Sequence, residues 1–220
     1  AERLSLGQLY TLRQDTRTLE GIGAWQAGTA SIESEGLPPR SVSSARISPN
    51  IFSHLAVQPS LGRGFVEADE AVGAEPVAIL GHGLWQRDFG ADSSVVGALI
   101  QVDGVRRRVV GVQGPGGTAP GIATQLWTPI VLDAFEEDFW PDRVYNVVAT
   151  VRSGVGIEEA RVDLVRAMRA VAERFSFFFP PGFGADATLD TANEPVWRPL
   201  RTPLALLLCG SLLLLLVAAI

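Results

Sequence analysis

The last 17 residues of the chain, residues 204–220, contain no charged side chain and are almost wholly apolar. At 1.5 Å per residue a helix of this length measures about 26 Å, close to the ~30 Å hydrocarbon core of a bilayer. Gly210 and Ser211 within it are both tolerated in membrane helices. The residues before it have the mixed composition of a domain that folds in water. We therefore expect a folded domain attached to a C-terminal transmembrane helix, in a chain that ends inside the lipid.

The expected division of the chain is a domain over residues 1–197, a linker over residues 198–203 and the start of a transmembrane region over residues 204–220. Pro199 and Pro203 restrict the linker more than a Gly/Ser sequence would. Residues 1–17 carry charges and no sustained apolar run, so they do not form a signal peptide. Because the chain lacks an initiator Met, we interpret it as a fragment.

Charge and cysteine content limit the classes of function. The net charge is −6, and all 18 basic residues are Arg, because the chain has no Lys. An acidic chain without a basic stripe argues against nucleic acid as a partner. The only cysteine, Cys209, lies in the apolar C-terminal segment, so the preceding domain has no internal disulfide and no thiolate metal site.

Local signals predict an α+β fold of short, mixed strands and helices, arranged in two subdomains. Ser5 and Gln8 have the spacing of a capping box, and the helix that they begin is expected to end at Gly21 and Gly23. Asp103-Gly104 is a hairpin signal. The expected strands are residues 24–33, 41–47, 76–80, 99–102, 105–112, 143–151 and 186–191. The expected helices are residues 49–55, residues 83–89 ended by Gly90, and an amphipathic helix from Ile157 to Phe175 with Asp163 on its polar face.

No residue pattern indicates an active site or a metal centre. His54 and His82 each lack a second ligand at helical or strand spacing, so both are interpreted as structural or surface residues. The glycine-rich residues 114–117 lack the Lys and Ser/Thr of a phosphate-binding loop and predict a tight turn. The acidic residues 136–138 and Glu67, Asp69 and Glu70 lack a calcium-loop pattern and are interpreted as solvated surface.

Two further features leave alternatives open. Arg106, Arg107 and Arg108 alternate along a predicted strand, which favours a solvated strand over a basic binding patch. Four aromatic residues, Phe177, Phe178, Phe179 and Phe183, surround Pro180 and Pro181 in a predicted loop. Such a loop either fills a core or presents an apolar patch to a partner or a membrane. These four residues are the candidate partner-contact residues.

Several short motifs occur in an order that resembles a known family. They are ISPNIFSHL at 47–55, QPSLGRGF at 58–65, GLWQRDFG at 83–90, VDG at 102–104, RVVGV at 108–112 and LWTP at 126–129. Together they resemble the MacB-like periplasmic core domains of ABC-transporter permeases, over most of residues 5–198. Trp85, Phe89 and Trp127 are expected as core anchors of this scaffold.

The resemblance implies a function that the residues alone do not. Such domains lie between one transmembrane helix and an FtsX-like transmembrane region of three more, in the bacterial inner membrane, with the domain in the periplasm. Arg198 and Arg201 on the domain side of the apolar segment would by themselves favour a cytoplasmic domain. The implied partners are membrane lipid, a cytoplasmic ABC ATPase subunit, a second permease subunit in a dimer and a periplasmic adaptor. No cofactor is implied.

Three hypotheses follow for the function. The first is a non-catalytic permease subunit whose periplasmic domain couples the ATP-driven motion of a partner ATPase to export or envelope processes. The second is an extracytoplasmic binding or sensor module that recruits an envelope partner through the loop at residues 177–183. The third, a membrane-anchored enzyme, lacks a catalytic constellation in the sequence.

Overall fold

The computed structural model describes residues 3–33, 39–54, 59–115, 124–133, 142–179, 182–185 and 187–189. Ala1–Ala187 forms one compact unit, and Thr188–Ile220 forms another. The prediction of two subdomains within the aqueous part is therefore wrong. The predicted linker and transmembrane segment, residues 198–220, lie outside the described residues. Among the helices that are described, none has the length and apolar character needed to cross a bilayer.

The described residues form four helices and eight strands, and the expected α+β class is confirmed. The helices are α1 (Leu6–Asp15), α2 (Pro49–His54), α3 (His82–Phe89) and α4 (Ile157–Arg174), with short 3₁₀ helices at Glu67–Glu70 and Ser93–Val95. The strands are β1 (Leu19–Glu33), β2 (Arg40–Ile47), β3 (Pro59–Gly62), β4 (Val77–Leu80), β5 (Leu99–Val102), β6 (Val105–Gln113), β7 (Leu126–Pro129) and β8 (Asn146–Val151).

All eight strands belong to one sheet, and six of them close into a ring. The ring runs β1, β2, β7, β4, β6, β5 and back to β1. β8 pairs with the first half of β1, and β3 pairs with β6. β1 makes this closure possible because its 15 residues pair with three strands: β8, β2 and β5.

The core lies on both faces of β4. Val77 and Ile79 pack into one buried cluster with Trp127, while Ala78 and Leu80 pack into the other. A strand that is buried on both sides reads as a continuous apolar run, which is why this strand was predicted correctly. The expected anchor Trp127 is fully buried, and Trp85 and Phe89 of α3 are partly buried against the second cluster.

The first helix ends earlier than its glycines suggested. The capping box is confirmed, since the Ser5 side chain accepts a bond from the Gln8 N–H and the Gln8 side chain accepts one from the Ser5 N–H. α1 nevertheless ends at Asp15, and Gly21 and Gly23 lie within β1. Gly21, with φ of 58°, lies at a register shift between β1 and β8. These glycines therefore shape a strand.

Gly23 permits close packing of α2 on β1. A Cβ added there would lie 2.6 Å from both Asn50 Oδ1 and Ile51 Cγ1. Real Cβ atoms essentially never approach other heavy atoms this closely. A local sequence pattern cannot reveal this requirement, because α2 follows β2 in the chain and meets β1 only in the folded domain.

Two turn predictions are confirmed. Asp103 and Gly104 have φ of 50° and 76° between β5 and β6, as a two-residue hairpin with positive φ at both positions requires. Gly90 ends α3 in the left-handed conformation, with φ of 59°. The strand predicted at residues 186–191 is not observed in its described part, residues 187–189, and the rest of it lies outside the described residues.

Candidate functional site

The most strongly bonded carboxylate in the described structure is that of Asp163, on α4. The sequence placed Asp163 on the polar face of this helix, but the residue is only 8% exposed. It shares a helix face with Ala160 and Ala167, which are fully buried and lie three and four residues away. The solvent-facing prediction for Asp163 is therefore wrong.

Asp163 joins α4 to the junction between α1 and β1. Its Oδ2 atom accepts hydrogen bonds from the backbone N–H of Arg17 at 2.7 Å and of Thr18 at 3.0 Å, and from the Thr18 hydroxyl at 2.9 Å. Its Oδ1 atom accepts bonds from Arg166 Nε at 3.0 Å and Nη2 at 2.6 Å. The same Arg166 Nη2 donates to the Asp15 carbonyl at 2.6 Å. We call these five residues the Asp163 cluster.

The electrostatics of the cluster favour the charged carboxylate. Burial acts to raise the pKa of Asp163, but the hydrogen bonds from Arg17, Arg166 and Thr18 outweigh it and hold this pKa well below its usual range. Asp163 is therefore ionised at neutral pH.

A second contact joins the far end of α4 to the end of α1. Arg174 Nη2, in the last turn of α4, lies 3.4 Å from Asp15 Oδ2. With the Asp163 cluster this makes two attachments along one side of α4. The first and last helices of the described domain therefore form one connected body with the start of β1.

A second cluster of charges surrounds the short 3₁₀ helix, where the sequence predicted solvated acids. Asp69 and Glu70 are instead buried. Arg63 contacts both carboxylate oxygens of Asp69, at 2.7 and 3.1 Å, and Arg13 of α1 lies 2.9 Å from Glu70 Oε2. These acids are bound by arginines, which accounts for them without calcium.

Arg13 also connects several elements. Its Nε donates to the Ile22 carbonyl of β1 at 2.8 Å, and its Nη2 donates to the Ser48 hydroxyl at 3.0 Å. A cleft of about 460 Å³ opens beside it, with Arg152, Glu20 and other charged side chains in its lining. The Arg13 guanidinium already donates to Ile22, Glu70 and Ser48, so it is bound within the protein and does not act as a free anion-binding group of this cleft.

The aromatic loop after α4 divides into a packed part and an exposed part. Phe179 is 6% exposed and stacks on Phe183 with ring centroids 4.7 Å apart. Phe177 is 93% exposed and Phe178 44% exposed, and their rings meet edge to face at 5.3 Å. Phe179 and Phe183 thus pack together, while Phe177 and Phe178 are exposed, and contact of these two with a partner or a membrane stays a prediction. Pro180 and Pro181 lie outside the described residues.

The loop is also fixed to the rest of the domain. A Cβ added at Gly184 would lie 2.6 Å from Met168 Cβ, so this loop passes directly over α4. The Arg143 guanidinium lies 5.4 Å from the centre of the Phe183 ring. Phe177 and Phe178 are therefore held outward by a packed base.

The remaining candidate residues do not meet at one place. His82 begins α3, where its ring centroid lies 5.5 Å from that of Trp85, and nothing is described of the His54 side chain. No group of three His, Cys, Asp or Glu that could hold a metal ion occurs in the described ranges. The acids at 136–138 and residues 116 and 117 of the glycine-rich turn lie outside them.

The arginine strand is only partly solvated. Arg106 is exposed, Arg108 binds Glu75 with Nη2 and Oε1 2.7 Å apart, and Arg107 is half-buried. Burial lowers the pKa of the Arg107 guanidinium. The prediction of a fully solvated strand is wrong for Arg107, and the three side chains do not form one basic patch.

The fold and these clusters define a scaffold domain, and comparison with known families gives its class. The family described as "MacB-like periplasmic core domain" matches residues 2–167. The chain therefore belongs to the family of MacB-like periplasmic core domains, as the order of its motifs suggested. No curated protein sequence matches the chain significantly.

Solved structures share the fold at low sequence identity. The periplasmic region of MacB from Actinobacillus actinomycetemcomitans is 13% identical, with a TM-score of 0.59, over 80% of this chain and 76% of that one. A domain of a putative permease protein from Porphyromonas gingivalis is 16% identical, with a TM-score of 0.61, over 81% of this chain and 76% of that one. The extracellular domain of the noncanonic ABC-type transporter YknZ from Gram-positive bacteria is 14% identical, with a TM-score of 0.56, over 79% of this chain and 85% of that one.

Proposed function

We propose that this chain is part of a non-catalytic ABC-transporter permease whose extracytoplasmic domain transmits ATP-driven motion. In this proposal residues 1–197 form the extracytoplasmic domain, residues 198–203 a linker and residues 204–220 the start of an FtsX-like transmembrane region in the bacterial inner membrane. The partners are a cytoplasmic ABC ATPase and a second permease subunit, with which the chain forms a dimer.

The Asp163 cluster carries the coupling role. A permease of this type connects its domain to the membrane on the N-terminal side of α1 and on the C-terminal side of α4. Asp163 of α4 accepts three hydrogen bonds from Arg17 and Thr18 at the junction between α1 and β1. Arg166, which is bound to Asp163, donates to the carbonyl of Asp15 at the end of α1. Because charge-assisted hydrogen bonds in a buried site are strong and directional, a displacement of either helix is passed to the other and to β1.

The experiment uses the full-length permease, co-purified with its ATPase and placed in lipid nanodiscs. A spin label at Val72→Cys, on an exposed turn and in a Cys209→Ser background, reports the distance between the two copies. We expect this distance to change with ATP and vanadate, and the change to shrink in Asp163→Asn. The matched control is Glu75→Gln, which removes one carboxylate from the exposed ion pair with Arg108.

Two outcomes would contradict the proposal. One is failure to recover any nucleotide-hydrolysing partner from the membrane. The other is an inter-copy distance that changes equally in wild type and in Asp163→Asn while both hydrolyse ATP. Purified chain without the partner is expected to hydrolyse no ATP.

The exposure of Phe177 and Phe178 favours a second candidate function, recruitment of a periplasmic adaptor by the loop at residues 177–183. A double change of Phe178 and Phe179 would be a poor test, since Phe179 is buried and its loss would disturb packing. Phe177→Ser changes the exposed ring alone. Loss of adaptor capture by Phe177→Ser would support this candidate, and unchanged capture would remove it.

A further inference from the structure

A shallow groove runs along the outer face of α4. It has a volume of about 530 Å³ and is lined by Val162, Val165 and Ala170 together with Arg161, Arg166 and Arg169, and Glu173. Val162 in this lining is 71% exposed. Three arginines and one glutamate contribute to this lining, on a chain whose net charge is −6. Arg166 is also bound to Asp163, and Arg161 lies 3.7 Å from Glu158. We call this surface the α4 outer face.

The exposed aromatic pair follows α4 directly in the chain. Val162, Val165 and Arg169 follow one another at helical spacing, and Phe177 lies three residues beyond the end of the helix. An apolar stripe bordered by arginines and ended by aromatic rings is the pattern of a helix that lies in a membrane interface. Arginine side chains can keep their charge at the phosphates while their stems cover apolar surface.

Two other occupants fit this surface less well. A second copy packed antiparallel about Val165 would place Arg161 opposite Arg169, and these like charges repel. A soluble protein would have to supply both acidic groups for the arginines and an apolar surface for Val162 and Val165.

We propose that the α4 outer face, together with Phe177 and Phe178, docks on the surface of the membrane to which the chain is attached. Phe177 and Phe178 enter the boundary between headgroups and acyl chains, and Arg169 binds lipid phosphate. The packed base formed by Phe179 and Phe183 keeps the two exposed rings directed outward. This inference rests on the proposed membrane attachment through residues 204–220. It adds that the domain itself has a lipid-bound orientation.

The experiment measures depth in the lipid at single positions of the full chain. Each variant carries one cysteine, at Phe177→Cys, Val162→Cys or Val72→Cys, in a Cys209→Ser background, labelled with the environment-sensitive fluorophore NBD. The protein is reconstituted into vesicles of phosphatidylcholine with and without phosphatidylglycerol, and quenching by nitroxide lipids is recorded. Val72 is the matched control, because it is also exposed and apolar but lies beyond the 3₁₀ helix at Glu67–Glu70.

We expect the Phe177 and Val162 probes to be blue-shifted and quenched, and the Val72 probe to report water. Adding Phe177→Ser to the Val162 probe should lower the docked fraction about tenfold, as expected for the loss of one buried Phe side chain. Arg169→Gln should lower docking to phosphatidylglycerol vesicles about fivefold, since one arginine near an anionic surface contributes about that factor. Arg106→Gln, a change at an exposed arginine of β6, should leave docking unchanged.

Extraction with alkaline carbonate separates this inference from the proposed attachment. If the chain resists extraction while the Phe177 and Val72 probes report the same aqueous environment in both vesicles, the attachment stands and the docking inference is wrong. Shielding of Phe177 only after a periplasmic protein is added would also overturn it, in favour of an adaptor. If carbonate removes the chain from the vesicles, the membrane attachment itself is wrong and the docking inference with it.

Discussion

Removing the Asp163 carboxylate tests whether this cluster holds α4 against the end of α1 and the start of β1. Asp163→Ala eliminates five hydrogen bonds and leaves the N–H groups of Arg17 and Thr18 without their acceptor. Breaking a buried ion pair costs about 3–5 kcal/mol, and we take the lower end because Arg166 is partly exposed. A loss of about 3 kcal/mol corresponds to a melting temperature lowered by roughly 6–12 °C for a domain of this size.

The assay is thermal unfolding of the detergent-solubilised chain, followed by tryptophan fluorescence. Asp163→Asn keeps the shape and one oxygen acceptor, so it should lose about half as much free energy of unfolding. Glu75→Gln should have the melting temperature of wild type, because the exposed pair with Arg108 is screened by solvent. If Asp163→Ala also melts with wild type, the cluster does not hold α1 and α4 together and the coupling argument loses its basis.

The same carboxylate predicts a dependence on pH. The pKa of Asp163 is lower in the folded chain than in the unfolded chain. The stabilisation that the charged carboxylate gives the folded chain is therefore fully present above the unfolded pKa, about 3.9. This contribution is lost as the pH falls through the folded pKa. The difference in stability between wild type and Asp163→Asn should therefore be constant near neutral pH and shrink below about pH 4. An unchanged difference in acid would contradict the assignment of the charge to Asp163.

Two further predictions concern the scaffold. Gly111→Ala should destabilise the domain by about 2 kcal/mol or more, because the new Cβ would lie 2.3 Å from the Arg63 carbonyl oxygen. In the control Gly64→Ala the new Cβ meets nothing within 4 Å, so the urea midpoint should stay near that of wild type. Ser5→Ala should cost about 1 kcal/mol by removing the capping-box acceptor of α1, and an unchanged urea midpoint would show that this cap contributes nothing.

The sequence by itself determined the elements whose signals are local. The capping box at Ser5, the Asp103-Gly104 turn and the glycine that ends α3 each lie within a few residues, and each is observed where it was predicted. The helix α4 was also predicted, but its buried face includes Asp163, which was expected in water. These signals act through short-range hydrogen bonding and backbone sterics, so they hold whatever the rest of the chain does. The order of the family motifs was likewise legible, and it identified the family.

Only the tertiary structure decided which polar residues are buried and what they bind. Asp163 lies 145 residues from Thr18 in the chain, and Arg13 lies 57 residues from Glu70, yet each pair is in hydrogen-bonding contact. The sequence around a charged residue does not indicate which distant residue it will bind, because that contact forms only when the sheet closes. These contacts depend on the closure of the sheet, in which the long strand β1 pairs with three others.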